Sequence, residues 1–149
     1  MNRRILSAAV AGLSFFGMTV ASTGIAHAQV PEACTPGVNC APYSCDPGEA
    51  CLFYNSIENG LNGIFKQDYA IFDYAPFGFQ LSTYGNGVDG RGKTVKNNAA
   101  AAWNRTNQRF GIYYNSNLSC AVACQLVPSL ARVNLNSSLK NNNASGDLF

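Results

Sequence analysis

Histidine is nearly missing from this chain of 149 residues, since His27 is the only one. It ends an N-terminal stretch typical of a signal peptide, with two early arginines, an apolar run over residues 5–20 and the small-residue motif Ala26-His27-Ala28. We therefore predict a signal peptide over residues 1–28 and a mature chain without histidine. Ser-His-Asp or Cys-His catalysis and histidine-ligated zinc or copper are then excluded, and we expect no enzyme.

A membrane anchor and a block of like charge are also lacking. The apolar run is shorter than the roughly 20 residues of a membrane span, and no stop-transfer charges follow it. We therefore predict a secreted protein without stable membrane association. Only 12% of the residues are charged. Without the two leader arginines, basic and acidic side chains balance and no basic block remains, which argues against a nucleic-acid partner.

The cysteines do not have the spacing of a metal site. There are six, and none belongs to the Cys-x-x-Cys pattern of a zinc cluster. An even number in a small exported chain indicates three disulfides instead. The spacing favours three local pairs, although an exchange among the first four cysteines stays open. The local pairs are Cys34–Cys40, Cys45–Cys51 and Cys120–Cys124.

What the chain does contain is a series of short strand signals between turns. Residues 29–44 are rich in Pro, Ala, Gly and Cys and are predicted to form an irregular lead-in segment. Aromatic strands are predicted within residues 50–55 and 110–114, and alternation predicts a half-buried strand within residues 130–135. The alanine run over residues 99–102 favours helix in isolation, but its polar neighbours favour a loop followed by a strand. We predict an all-β fold.

Two landmarks recur in the same order along the chain. Tyr54-Asn55-Ser56 precedes Lys96-Asn97-Asn98-Ala99, and Tyr114-Asn115-Ser116 precedes the Asn-rich segment Lys140–Ala144. This recurrence predicts one structural unit that is used twice. The predicted domain covers residues 45–149, and its two units cover about 45–108 and 109–149.

The segment from Cys45 to Asn55, together with the segment from Asn97 to Arg105, resembles the peptidase inhibitor I36 family. This is the family of the Streptomyces metalloproteinase inhibitor, with a βγ-crystallin-like fold. The resemblance implies a double Greek-key β-sandwich that a bacterium secretes. We expect it to be a monomer. The resemblance also implies a secreted protease as partner, of the thermolysin-type metalloprotease class. Trp103 is then expected in the core.

One short segment has the properties of an inhibitory loop, namely Cys120-Ala121-Val122-Ala123-Cys124. An inhibitor that occupies a protease cleft needs a rigid exposed segment, since rigidity lowers the entropy cost of binding. Thermolysin-type enzymes prefer an apolar residue after the scissile bond, and Val122 or Ala121 would serve. The alternative is that this disulfide only staples a hairpin in a domain with a small core.

Cofactors are not expected, with calcium as the one possible ligand. In calcium-binding βγ-crystallins the Asn/Asp pair is followed, after two residues, by Ser or Thr. The second Asn-rich segment keeps this pattern as Asn141, Asn142 and Ser145, whereas the first has Ala101 at the hydroxyl position. Calcium usually requires several oxygens including carboxylates. The favoured interpretation is therefore that the asparagines bond the backbone of turns.

A different function class stays open beside inhibition. The chain would then be a secreted crystallin-like protein without inhibitory activity, with a structural, calcium-binding or carbohydrate-binding role. The aromatic side chains between Tyr69 and Tyr84 would supply the carbohydrate-binding surface.

Overall fold

The computed structural model describes residues 42–149. The predicted signal peptide, most of the lead-in segment, and Cys34 and Cys40 lie outside the described residues. Within these described residues, seven strands and one 3-10 turn follow each other. They are β1 (Ala50–Phe53), the 3-10 turn (Ile57–Asn59), β2 (Ile64–Gln67), β3 (Ala101–Asn104), β4 (Phe110–Tyr113), β5 (Cys124–Val127), β6 (Arg132–Asn134) and β7 (Ser145–Leu148). Within residues 42–149 no helix has the length and apolarity to cross a membrane.

The strands form two antiparallel sheets, and segments from one half of the chain pair with strands from the other half. The first sheet has the order β2-β1-β3-β6 and the second the order β5-β4-β7. Strand β6 comes from the second half of the chain but pairs with β3. In return, Ile71 from the first half forms an antiparallel bridge with Gly146 in β7. Each half therefore contributes to both sheets, which is the double Greek-key sandwich that was predicted.

The main core lies between the two sheets. Alternation along the strands sends one set of side chains inward. Leu52 of β1, Phe65 of β2, and Phe110 and Ile112 of β4 are buried in one cluster there. Full burial of such a side chain contributes about 1.5–3 kcal/mol. Tyr74 is also fully buried in this cluster, and that burial raises the pKa of its phenol well above the usual value.

A second hydrophobic cluster covers the outer face of the first sheet. Phe53, Leu61, Ile64 and Ala101 are buried in it, together with the Cys45–Cys51 disulfide. The covering segment, residues 81–90, lies over this face, and its Tyr84 ring contacts Phe53 edge-on. Strands β1, β2 and β3 of the first sheet are thus largely buried on both faces, whereas the edge strand β6 is exposed or half-buried.

Trp103 lies at the border of this cluster rather than deep in a core. Its side chain is half-buried, and the guanidinium groups of Arg105 and Arg132 lie 5.0 and 5.1 Å from its ring centroid. Arg132 is the direct cross-strand neighbour of Trp103 in β6. The expectation of a core position was therefore only partly right, because the pairing with β6 places the indole between two arginines.

The two Asn-rich segments contact each other across the interface between the halves. Asn97 and Asn141 both have left-handed backbone, with φ of 61° and 60°. The Asn97 N–H donates to the Asn143 carbonyl oxygen at 2.7 Å, and the Asn141 N–H donates to the Ala99 carbonyl oxygen at 2.9 Å. Asparagine tolerates this conformation better than most residues. The repeat seen in the sequence is therefore a repeat in space.

The alanine run ends in a strand, as predicted. Ala99 and Ala100 precede β3, while Ala101 and Ala102 belong to it. Ala101 faces the outer cluster and Ala102 the main core. Pairing of β3 with β1 and β6 outweighs the helix propensity of alanine, which is a weak preference of a few tenths of a kcal/mol per residue. Strand β7 has four residues and pairs with β4 along its whole length.

Candidate functional site: a disulfide-closed loop

The Cys120–Cys124 segment, here called the disulfide loop, projects from the hairpin between β4 and β5. The two cysteines are bonded, with Cα atoms 5.1 Å apart. Val122 has 65% of its surface exposed, and Ala121 and Cys120 are exposed too. Ala123, in contrast, packs against the main core. The loop therefore presents the apolar side chain of Val122 at its tip.

The C-terminal side of the disulfide loop is fixed by the sheet. Cys124 is the first residue of β5 and pairs with Tyr113 in β4. One residue earlier, the Tyr114 N–H donates to the Ala123 carbonyl oxygen at 3.0 Å. Backbone bonds of this kind leave little freedom at the base of the loop.

The N-terminal side depends on a strained arm, residues 115–119. Asn117 and Leu118 both have positive φ, at 62° and 57°. For leucine this left-handed conformation costs roughly 1–2 kcal/mol. The hydroxyl of Ser145, on the buried first residue of β7, accepts the Leu118 N–H at 3.1 Å and donates to the Asn115 carbonyl oxygen at 2.7 Å. These bonds hold the arm against the sheet.

A second set of contacts holds the middle of the arm. The Lys96 ammonium donates to the Ser116 hydroxyl and lies beside the Asp73 carboxylate, at 2.9 Å in each case. The Asn117 N–H donates to the Phe72 carbonyl oxygen at 2.7 Å. The hydrogen bond from Lys96 is the main cause that lowers the pKa of Asp73 below its usual value. Asp73 is therefore ionised, and its ion pair with Lys96 formed, over the whole neutral range.

The disulfide loop has groups that another protein can bind but no group that could act as an acid, a base or a nucleophile. Residues 120–124 carry no ionisable side chain, because both cysteines are oxidised. The loop offers backbone amides and carbonyls, one exposed valine and small neighbours that do not block access to the main chain. A short, exposed loop that is closed by a disulfide can enter the cleft of another protein at a low entropy cost.

The calcium candidates have other contacts in the described residues. The Ser145 hydroxyl already donates to Asn115 and accepts from Leu118. Asn141 instead lines a small open cleft that also contains Lys140, and a nearby ammonium group disfavours a cation. The Asn142 side chain donates to the Lys140 carbonyl oxygen at 3.4 Å. The expectation of no cofactor, with calcium as the one candidate ligand, stays a prediction.

A metal is also not favoured elsewhere in residues 42–149. One group of cysteine and carboxylate ligands lies close enough together to hold an ion, namely Cys45, Glu49 and Cys51. Two of these three residues form a disulfide. Thiolates are the metal ligands, so this group offers only the Glu49 carboxylate.

The aromatic side chains that were offered for a carbohydrate-binding surface differ in their exposure. Among the aromatic side chains between Tyr69 and Tyr84, Tyr74 and Phe79 are in the core. Tyr69 and Phe72 are the large hydrophobic side chains of this segment that are exposed, at 38% and 58%. These two side chains are accessible to a ligand, and carbohydrate binding stays an alternative to inhibition.

Sequence reasoning missed the residues that hold the arm. Asp73, Lys96 and Ser145 reach the arm from positions 20 to 43 residues away along the chain. One signal was visible: Ser145 stands where the first half has Ala101, which is one of two differences between residues 96–101 and 140–145. That difference was interpreted as a difference in calcium ligands only.

Comparison with known proteins agrees with this architecture. The model of the peptidase inhibitor family I36 matches residues 38–125, which is more than half of the chain. A solved structure described as "Evolution of the eye lens beta-gamma-crystallin domain fold" superimposes with a TM-score of 0.50 and 14% sequence identity. The similarity covers 76% of this chain and 93% of that one, and at this identity it concerns the fold alone. Comparison with curated proteins found no match. On the extent of the family match, the chain belongs to peptidase inhibitor family I36.

Proposed function

We propose that this protein is a secreted inhibitor of thermolysin-type metalloproteases, and that the disulfide loop blocks their active-site cleft. The family supports a peptidase as partner. The observation that carries the rest is the exposure of Val122, at 65%, on a loop whose two sides are both held in place. In this proposal the protein acts by binding and is not an enzyme.

The inhibitor works because the loop is already in its bound shape. Ordering a residue of a flexible chain costs roughly 1–2 kcal/mol, and a loop that is closed and tethered avoids most of this cost on binding. Val122, or Ala121 beside it, fills the apolar pocket that follows the scissile bond. Burial of a valine side chain there contributes about 1.5–3 kcal/mol.

The disulfide also keeps the loop in the cleft if the peptidase cuts it. Cleavage adds water across one peptide bond between Cys120 and Cys124. The S–S bond keeps both new ends attached to the same position, so they stay in the cleft, where loss of water can form the peptide bond again. Product release is therefore slow, and the peptidase stays occupied.

Secretion is part of the same proposal. Disulfides persist in oxidising compartments such as the outside of the cell, and the structure contains the pairs Cys45–Cys51 and Cys120–Cys124. The predicted signal peptide over residues 1–28 would supply the route. We further propose that the protein acts as a monomer.

The test is a titration of the purified protein against a thermolysin-type metalloprotease and a panel of serine proteases. We expect stoichiometric loss of the metalloprotease activity alone. Replacing Val122 by Asp should weaken inhibition by at least about a hundredfold, because a charge would enter an apolar pocket. Val88→Asp is the matched control, since Val88 is also exposed, at 54%, but lies in the covering segment. Equal inhibition by both variants would move the contact away from the loop, and inhibition of no peptidase would overturn the proposed function.

A further inference from the structure

The two sides of the disulfide loop are held by different means. On the C-terminal side, the ladder between β4 and β5 begins directly at Cys124. On the N-terminal side, the arm has no strand partner and is held by side chains and one carbonyl oxygen from distant parts of the chain. The arm begins after Tyr114, and its last residue, Ser119, directly precedes Cys120. Any movement of the arm therefore changes the position of the loop.

Ser145 is placed to restrain this arm and has no matched counterpart in the other half. It is fully buried, and its hydroxyl uses both its donor and its acceptor role on the arm, at Asn115 and Leu118. The matched residue of the first half is Ala101, which is likewise the first residue of its strand and lies beside Phe53 as Ser145 lies beside Tyr113. The serine hydroxyl is thus present in the half that carries the exposed disulfide loop and absent from the matched position of the other half.

Lys96 restrains the arm from the opposite Asn-rich segment. Its ammonium joins the Ser116 hydroxyl to the Asp73 carboxylate, and Ser116 also donates to Asp73 at 3.3 Å. The matched lysine of the second half, Lys140, makes no ion pair within 4 Å among residues 42–149. The contact is therefore specific to the arm and is not a general property of the repeat.

We propose that Ser145 and Lys96 are positioning residues that hold the disulfide loop in its inhibitory conformation and decide whether a peptidase is blocked by the loop or cuts it as a substrate. This inference rests on the proposed function. Without these tethers the left-handed backbone at Asn117 and Leu118 relaxes, because its strain is no longer compensated. A flexible loop then fits the cleft less tightly and leaves it faster after cleavage.

The chain contains a matched control for each residue. Ser82 is also a buried serine whose hydroxyl has two roles, donating to the Asn62 carbonyl oxygen at 2.6 Å and accepting the Tyr84 N–H at 3.1 Å. Lys66 is also a partly exposed lysine, paired with Glu49 at 2.8 Å. Neither contacts the arm. Ser82→Ala and Lys66→Met therefore remove equivalent bonds without touching the loop.

The experiment compares Ser145→Ala with Ser82→Ala, and Lys96→Met with Lys66→Met, in the full secreted protein. We expect each pair to lose similar amounts of thermal stability. The arm variants alone should inhibit a thermolysin-type metalloprotease about tenfold less well or worse, which corresponds to loss of one or two hydrogen bonds. They should also be cut faster between residues 120 and 124, as measured by mass spectrometry after reduction. Ser145→Thr, which keeps the hydroxyl, should restore inhibition.

Hydrogen exchange separates failure of this inference from failure of the proposed function. The amides of residues 115–123 should exchange faster in Ser145→Ala than in Ser82→Ala, whether or not any peptidase is inhibited. Equal exchange of these amides in the two variants would overturn the positioning role. If the amides exchange faster in Ser145→Ala but the unaltered protein inhibits no peptidase, the role of Ser145 in holding the arm stands. Only the proposed inhibitory function is then overturned.

Discussion

The molecule contains two hairpin loops of equal length with different surroundings. Residues 54–63 connect β1 to β2, and residues 114–123 connect β4 to β5. Both loops start with Tyr-Asn-Ser. In the first, Leu61 and Asn62 are only 4% and 3% exposed, whereas the second carries Val122 at 65%. The first loop is therefore part of the core, whereas the tip of the second loop is accessible to another protein.

The first loop is buried because the covering segment packs against it. The Asn86 N–H donates to the Asn62 side-chain oxygen at 2.7 Å, and the Gly63 N–H donates to the Asp89 carbonyl oxygen at 2.9 Å. Gly85 has φ of 57°, and a Cβ there would lie 2.2 Å from the Asn62 side-chain oxygen. The glycine-rich sequence is needed because two backbones meet closely at this point.

The tip of the second loop, residues 120–122, is exposed among residues 42–149, and it is closed covalently instead. A disulfide restrains a short segment without requiring another layer of protein over it. The comparison teaches that the same hairpin can be made rigid by burial or by a covalent bond, and that only the second method leaves the main chain accessible.

The largest expected effect comes from removing that bond. Replacing Cys120 and Cys124 together by alanine frees residues 121–123, and ordering them on binding costs roughly 1–2 kcal/mol each. We expect inhibition to weaken by more than about a hundredfold, measured as the inhibition constant against a thermolysin-type metalloprotease. The paired control replaces Cys45 and Cys51 by alanine. It should lower the melting temperature and leave inhibition intact wherever the protein is still folded. Full inhibition without the loop disulfide would contradict the comparison.

A second prediction contrasts the two loops by stability alone. Leu61→Ala removes a buried side chain from the first loop and should lower the free energy of unfolding by about 2–5 kcal/mol. Val122→Ala removes an exposed side chain from the second loop and should change it by no more than about 0.5 kcal/mol. Urea unfolding at one temperature measures both. Equal losses would mean that the second loop is buried in solution.

The smallest effect concerns acidity at the arm. The pKa of Asp73 is lowered in the folded protein, first by the hydrogen bond from Lys96, so the stabilisation is complete above the unfolded value of about 3.9. It is lost as the pH falls through the lower folded pKa. We expect the amides of residues 115–119 to exchange faster only in that acidic range, after correction for intrinsic rates. Asp73→Asn should remove this dependence, and an unchanged profile in that variant would contradict it.

Several features followed from the sequence because they depend on near neighbours. Short aromatic segments between turns predicted strands at β1 and β4. The cysteine pairs Cys45–Cys51 and Cys120–Cys124 are separated by six and four residues, so a turn brings each pair together. The recurring Asn-rich segments indicated the repeat, and the family resemblance indicated the Greek-key sandwich.

The tertiary structure alone decided which of these features are accessible and what holds them. Whether a hairpin loop is covered depends on where residues 81–90 lie, and no local pattern contains that information. Ser145 reaches the arm 27 residues away from Leu118, because β7 pairs with β4 in one particular register. Trp103 contacts Arg132 for a similar reason, because β6 from the second half of the chain pairs with β3 in the first sheet. Local sequence thus determined the strands and the disulfide loop, while sheet register, which depends on contacts across the whole chain, determined the support that the loop receives.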